Sequence, residues 1–231
     1  KLLAHLDRIV AWDSGAKPAP ITLEVDLSWR CNLGCQSCHF GHTHTKGPWT
    51  KKDRILPMAF SQSGDVADTS VMMRMLEQSA AAGVQGVIWS GGGEPTTHPE
   101  WVFLTMRAKD IGLHQGMYTH VGLLTADTAT HLAHSADWGV IRLDCLTKDD
   151  YTAEKGVDRF DEACHGIRHL AGKTVVGVSF LLSAHNWHKA PEMLDLARSL
   201  GATYTTFRPT INTSPATPTV CTEDRAWITM A

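Results

Sequence analysis

Gln85-Gly86-Val87-Ile88-Trp89-Ser90 reads as a short strand, and Gly91-Gly92-Gly93-Glu94-Pro95 follows it directly. Next comes Thr97-His98-Pro99-Glu100, which has the spacing of a capping box: the Thr97 hydroxyl can accept the N3 amide while Glu100 reaches back. The helix it opens is expected to run to Asp110 and end at Gly112. A strand, a glycine loop and a helix make one βα unit, and the unit recurs on both sides. Upstream, Ile21 to Ser28 sets Leu23, Val25 and Leu27 on one face and Glu24, Asp26 and Ser28 on the other. A helix over Val71 to Ala82, closed by Gly83, follows. Downstream, strands are expected over Leu113 to His120, Val140 to Leu146, Thr174 to Leu182 and Thr203 to Arg208. The helices between them are expected over Ala126 to Ser135, Asp158 to Ala171 (closed by Gly172) and Ala190 to Leu200 (closed by Gly201). A last helix, Thr222 to Ala231, runs to the end of the chain, so a further C-terminal segment is expected. Six strands, each followed by a helix, argue for an α/β fold with a parallel sheet and right-handed crossovers.

The chain has 231 residues, 43% of them apolar, enough for one substantial core. Residues 1–20 read as a short helix with a Pro-containing lead-in, and residues 21–231 as one core domain without an internal boundary. With 21 Lys and Arg against 24 Asp and Glu, the formal charge is −3, which gives no basis for a nucleic-acid partner. No apolar run approaches the ~18–20 residues that span a bilayer, and the N-terminal residues lack a secretory h-region. The stretch from His39 to Thr69, rich in Gly, Pro, Lys and Thr, reads as a long loop of the kind that is usually functional.

Cysteines carry the strongest chemical signal. Cys31, Cys35 and Cys38 form a C-x3-C-x2-C run at the C-terminal end of the first strand, while Cys145, Cys164 and Cys221 are scattered. A tight trio fits metal ligation in a reducing compartment, since a disulfide would leave one member unpaired; the cytoplasm is the expected location. Three thiolates can hold three irons of a cubane cluster and leave the fourth iron open. Zinc is the other reading, with His39, His42 or His44 as fourth ligand. The loop Ser90 to Pro95 sits at the same rim, where consecutive glycines let backbone approach a ligand and Glu94 offers an acceptor.

Together the trio, the Gly92-Gly93-Glu94-Pro95 run and the repeating βα units resemble the radical S-adenosylmethionine (radical SAM) superfamily over roughly residues 21 to 210. The resemblance implies a partial (β/α)6 barrel, TIM-barrel-like, with Cys31, Cys35 and Cys38 binding a [4Fe-4S] cluster whose open iron is chelated by S-adenosylmethionine (AdoMet). It further implies that Gly92, Gly93, Glu94 and Pro95 hold the methionine end. Reductive cleavage of the sulfonium would then give a 5′-deoxyadenosyl radical that takes hydrogen from substrate. A one-electron donor such as flavodoxin or ferredoxin is implied as partner. Asp144 falls where many members have a fourth-strand serine and is expected to accept a ribose hydroxyl, with Leu146 where an aspartate is usual. Phe207-Arg208-Pro209 resembles the sixth-strand end, where Arg208 helps hold AdoMet. Ser37 occupies a position near adenine that is usually aromatic, and Thr119-His120-Val121 replaces the common Thr-Asn-Gly.

A small-molecule substrate in an enclosed lumen is the first expectation. The alternatives are a peptide substrate, with a SPASM-type C-terminal extension, and, from another class, a zinc-stabilised binding module. Other features have plainer readings. Cys145 and Cys164 are expected as buried packing residues, and Met72, Met73 and Met75 as core. Arg142 is expected to pair with Glu24 or Asp26. His120, His185 and His188 lie near strand ends, at the rim where barrel chemistry sits.

Overall fold

In the computed structural model, six strands form one sheet: β1 (Thr22–Asp26), β2 (Gly86–Ser90), β3 (His114–Thr119), β4 (Trp138–Arg142), β5 (Val175–Leu182) and β6 (Tyr204–Pro209). They lie in sequence order, and every neighbouring pair is parallel. The structure describes residues 2–35, 37–38, 66–183 and 186–209. His39, His42, His44, His185, Cys221, most of the expected loop and the last helix lie outside the described residues.

Helix α1 (Leu6–Asp13) precedes the sheet, and α2 (Thr69–Ala81), α3 (Trp101–Asp110), α4 (Ala126–Ser135), α5 (Lys148–Lys155), α6 (Phe160–Leu170) and α7 (Ala190–Ser199) lie between strands. Local chemistry sets their ends. The Asp68 carboxylate accepts the Val71 N–H at 3.0 Å, and Thr125 and Thr128 form a reciprocal capping box. Gly83 ends α2 with φ 97°, a conformation that only glycine adopts without strain.

Strand alternation sorts the side chains onto two faces. Val25, Val87, Trp89, Met117, Ile141 and Phe180 point toward the helices and are buried in one core, against Leu76, Leu104, Leu132, Ile167 and Met193. Met72, Met73 and Met75 pack against it, and Cys145 and Cys164 belong to it, as expected. One polar cluster in this core is fully satisfied: Trp89 donates to Gln115, whose amide donates to Thr105 O and Ser135 O.

The opposite face is concave. Arg208 on β6 places its guanidinium 5.8 Å from the Tyr118 ring on β3. Three strand spacings in a flat sheet would separate β3 from β6 by about 14 Å, so the sheet must curl to bring these side chains together. Aromatic rings pave the floor by lying on glycines. A Cβ at Gly116 would stand 2.0 Å from the Trp138 ring, and one at Gly177 would stand 2.3 Å from the Tyr204 ring. Among the described residues β1 and β6 do not pair, so the curl remains open. The architecture is the expected partial barrel.

The structure corrects three local expectations. Strand β4 ends at Arg142, not Leu146, because Asp144 takes φ 62° and breaks the extended run. Helix α5 was not expected at all: among its residues only Tyr151 is a large apolar side chain, so no apolar period announces it. The Thr97 to Glu100 capping box does not form. Thr97 Oγ1 instead donates to Glu94 O at 2.7 Å and lies 2.7 Å from Ser28 Oγ, while the Glu100 N–H goes to His98 Nδ1. Helix α3 therefore starts at Trp101.

Candidate functional site

Parallel strands put all their C-terminal ends on one rim, and the expected site residues gather there. After β1 the chain runs through Ser28, Trp29 and Arg30 to Cys31, beside the glycine loop after β2. Backbone bonds join the two segments: Gly93 N–H donates to Ser28 O at 2.9 Å and Glu94 N–H to Arg30 O at 2.7 Å. The glycines permit this approach. A Cβ on Gly92 would lie 2.1 Å from the Trp29 ring, and one on Gly93 would lie 2.1 Å from Arg30 O. The Gly93 contact is with backbone, which cannot swing aside. Gly93→Ala is expected to destabilise the chain by about 1–3 kcal/mol and to lower cluster occupancy, checked by chemical denaturation and iron content; an unchanged unfolding midpoint would contradict the tight contact.

The cysteine loop rests on α5. Gly34 N–H donates to Lys155 O at 2.7 Å, and Ser37 donates through both its N–H and its hydroxyl to the Glu154 carboxylate. Cys38 N–H turns back to Cys35 O at 3.2 Å. Cys31, Cys35 and Cys38 form no disulfide among the described residues, and Cys31 Sγ accepts the Leu33 N–H at 3.4 Å. Burial pushes the Cys35 thiol up to about 12, against the opposing pull of the Lys155 ammonium.

Among the described residues no three His, Cys, Asp or Glu side chains close around a common point as one metal ion requires. A cubane asks for something different, one thiolate for each of three irons, and three cysteines on one loop, none of them in a disulfide, supply that donor set. Asn32, between the first two cysteines, has a buried amide nitrogen with no partner among the described residues. The residues present therefore fit an iron–sulfur group, which supplies one-electron chemistry when bound.

Glu94 is buried and nearly saturated. Its Oε1 accepts from Thr96 N–H (3.2 Å), Thr96 Oγ1 (2.7 Å) and Thr119 Oγ1 (2.6 Å), and its Oε2 accepts from His120 N–H at 2.9 Å. The carboxylate thus pins the glycine loop to the end of β3. Only Oε2 keeps capacity for a ligand donor. Pro95 is buried and opens the short 3-10 turn Pro95–Thr97 that Glu94 caps.

Asp144 differs most from expectation. Its Oδ2 takes the Lys155 ammonium and lies 3.4 Å from Arg142 Nε, and its Oδ1 accepts the Leu181 N–H at 2.8 Å. Burial raises its pKa, but Lys155, Arg142 and these hydrogen bonds outweigh that and hold it below the usual carboxylate range. Arg142 therefore pairs with Asp144, not with Glu24 or Asp26. His188 lies edge-on to Trp187 in the 3-10 turn Trp187–Lys189 after β5. Arg208 lies on the concave face. Asn32, Glu154 and Lys155 were missed as site residues. The signals were present for α5, in the Thr147 cap and in Gly156 after Lys155, with φ 73°.

A rim of three thiols beside a glycine–glutamate loop, on an open curl of six parallel strands, defines a class. The sequence profile of the radical SAM superfamily matches residues 27–197, and the chain belongs to that superfamily. Its members use a [4Fe-4S] cluster and AdoMet. Among relatives, the PqqA peptide cyclase of Methylorubrum populi is 28% identical over 189 residues, covering 80% of this chain and 44% of that protein. Mycofactocin maturase MftC of Mycobacterium tuberculosis is 28% identical over 188 residues, with the same coverage of 80% and 44%. The chain thus spans less than half the length of these relatives. Streptococcus suis SuiB bound to S-adenosylmethionine has the same fold, with TM-score 0.71 and 16% identity over 96% of this chain and 49% of that one. Native anSMEcpe with bound AdoMet aligns with TM-score 0.64 and 14% identity, over 84% of this chain and 52% of that one.

Proposed function

We propose that this chain is the catalytic core of a radical SAM enzyme that modifies a peptide. Cys31, Cys35 and Cys38 bind the cluster, and Gly92, Gly93, Glu94 and Pro95 form the loop against which the methionine end of AdoMet rests. Arg208 reaches AdoMet from the concave face. Ser37 and Asp144, occupied by Glu154 and by Lys155 with Arg142, act on AdoMet by fixing the shape of the rim. The electron comes from a donor of the flavodoxin or ferredoxin kind, in the cytoplasm; no helix among the described residues is long and apolar enough to cross a membrane.

The observation that carries the peptide reading is the kinship with proteins named for peptide substrates, the PqqA peptide cyclases. It displaces the small molecule expected from an enclosed lumen. The test is anaerobic reconstitution with iron and sulfide, followed by dithionite and AdoMet. Formation of 5′-deoxyadenosine supports the enzyme. Deuterium carried into it from the peptide fraction of a deuterated cell extract, and not from the metabolite fraction, supports the substrate class. Transfer from the metabolite fraction alone overturns the peptide reading. One bound zinc without 5′-deoxyadenosine overturns both.

A further inference from the structure

His120 directly follows β3, and its buried ring meets three groups at once. Gly122 N–H donates to Nδ1 at 3.0 Å, while Nε2 lies 2.8 Å from Asn32 Oδ1 and 3.4 Å from Glu94 Oε2. A ring nitrogen that accepts a backbone N–H carries no proton, so the proton of the neutral imidazole sits on Nε2. Burial lowers the pKa of this ring, against the opposing pull of Glu94, and so favours the neutral form.

The tautomer settles the orientation of Asn32. Nε2–H needs an acceptor, so the amide must present its oxygen to His120 and turn its nitrogen the other way. That nitrogen is buried and has no hydrogen-bond partner among the described residues. Buried donors are almost always satisfied, and Asn32 stands in the loop between Cys31 and Cys35. The group due in that loop is rich in acceptors: bridging sulfides and thiolate sulfurs.

We propose that His120 is a positioning residue whose Nε2–H locks the Asn32 amide, so that Asn32 Nδ2 donates a hydrogen bond to a sulfur of the [4Fe-4S] cluster and raises its reduction potential. The physical reason is electrostatic: a donor aimed at a sulfur stabilises the extra negative charge of the reduced cluster. The inference rests on Cys31, Cys35 and Cys38 being the cluster ligands.

The test is the midpoint potential of the reconstituted cluster, titrated anaerobically by EPR without AdoMet in wild type, Asn32→Leu, His120→Leu and the double variant. Asn32→Leu is expected to shift the one-electron reduction equilibrium about tenfold toward the oxidised cluster, a fall of about 59 mV. His120→Leu, which frees the amide to rotate, lowers the potential in the same direction, and the double variant falls no further than Asn32→Leu, because the two residues act through one bond. His120→Gln, whose amide can donate to the same oxygen, recovers most of the shift. Unchanged potentials, or shifts that add, overturn the proposal. Loss of iron in Asn32→Leu overturns it too, since the pair would then be scaffold for the loop. A wild-type protein that takes up no cluster fails at a different point, the ligand assignment, and that result is separately visible as missing iron.

Discussion

Cys35→Ala is expected to bring the iron content of the anaerobically reconstituted chain from about four per chain to near zero, with the brown absorption lost, while the fold stays intact. The two halves of this expectation rest on different bonds. The thiol of Cys35 is one of only three candidate thiolates on the loop, and two thiolates leave two irons of a cubane without protein ligands. The loop itself is held by groups that alanine keeps: Gly34 N–H to Lys155 O, Ser37 to Glu154, and Cys38 N–H to residue 35's carbonyl. Far-UV circular dichroism and the denaturation midpoint should therefore follow those of the unloaded wild type. Cys145→Ala is the matching control. Cys145 is buried in the core, with its thiol also pushed up to about 12 by burial. Losing its sulfur should lower stability by about 1 kcal/mol and leave iron loading unchanged. Full iron content in Cys35→Ala, or loss of iron in Cys145→Ala, would reverse the two assignments. Because thiols must lose protons to bind metal, loading of the wild type should also release protons and strengthen as pH rises.

The contrast between these cysteines was legible in the sequence, since spacing separates three clustered thiols from the scattered Cys145, Cys164 and Cys221. The βα alternation was legible for the same kind of reason. β1 alternates apolar and polar residues, β2, β4 and β5 are short apolar runs, and β3 and β6 give only Met117 and Phe207 to the core face, while α2, α3, α6 and α7 each end at a glycine just beyond the last apolar turn. What failed was decided by contacts distant in sequence. Thr97 has the right neighbours for a cap, but Ser28 and Glu94 claim its hydroxyl once β1 and β2 lie side by side. Helix α5 has almost no apolar face, because its buried residues are Tyr151 and a lysine that is neutralised by Asp144, 11 positions earlier. No periodicity can announce a helix whose buried anchor is a charge. Glu94 was found as a site residue, yet its saturation by Thr96, Thr119 and His120 depends on where β3 ends.

That buried lysine gives the largest expected loss of stability. Lys155 and Asp144 are ion-paired with side chains only 2% and 3% exposed. Lys155 also closes α5, where a cation suits the carbonyl end of the helix, and its own carbonyl holds Gly34 of the cysteine loop. Lys155→Met preserves much of the packing volume but leaves Asp144 buried with, among the described residues, only Arg142 and the Leu181 N–H as partners. Removing one member of a buried pair typically costs about 3–5 kcal/mol, a large part of the ~5–15 kcal/mol that holds most domains together. The deficit is expected in urea unfolding of the unloaded chain near neutral pH. Asp144→Asn added to Lys155→Met should recover more than half of it, because asparagine removes the stranded charge, tolerates the left-handed backbone and still accepts from Leu181. The pH dependence has a definite sign. In the wild type the depressed Asp144 pKa contributes stability above the ordinary carboxylate value, about 3.9, that is lost as pH falls. Without Lys155, burial is less opposed, so Asp144 takes up its proton at a higher pH and the stranded charge disappears first in the variant. The gap between the two proteins should therefore narrow as pH is lowered toward 4. A gap below about 1 kcal/mol at neutral pH would mean that the pair behaves as a solvated surface contact, and that Lys155 does not hold the floor under the cysteine loop.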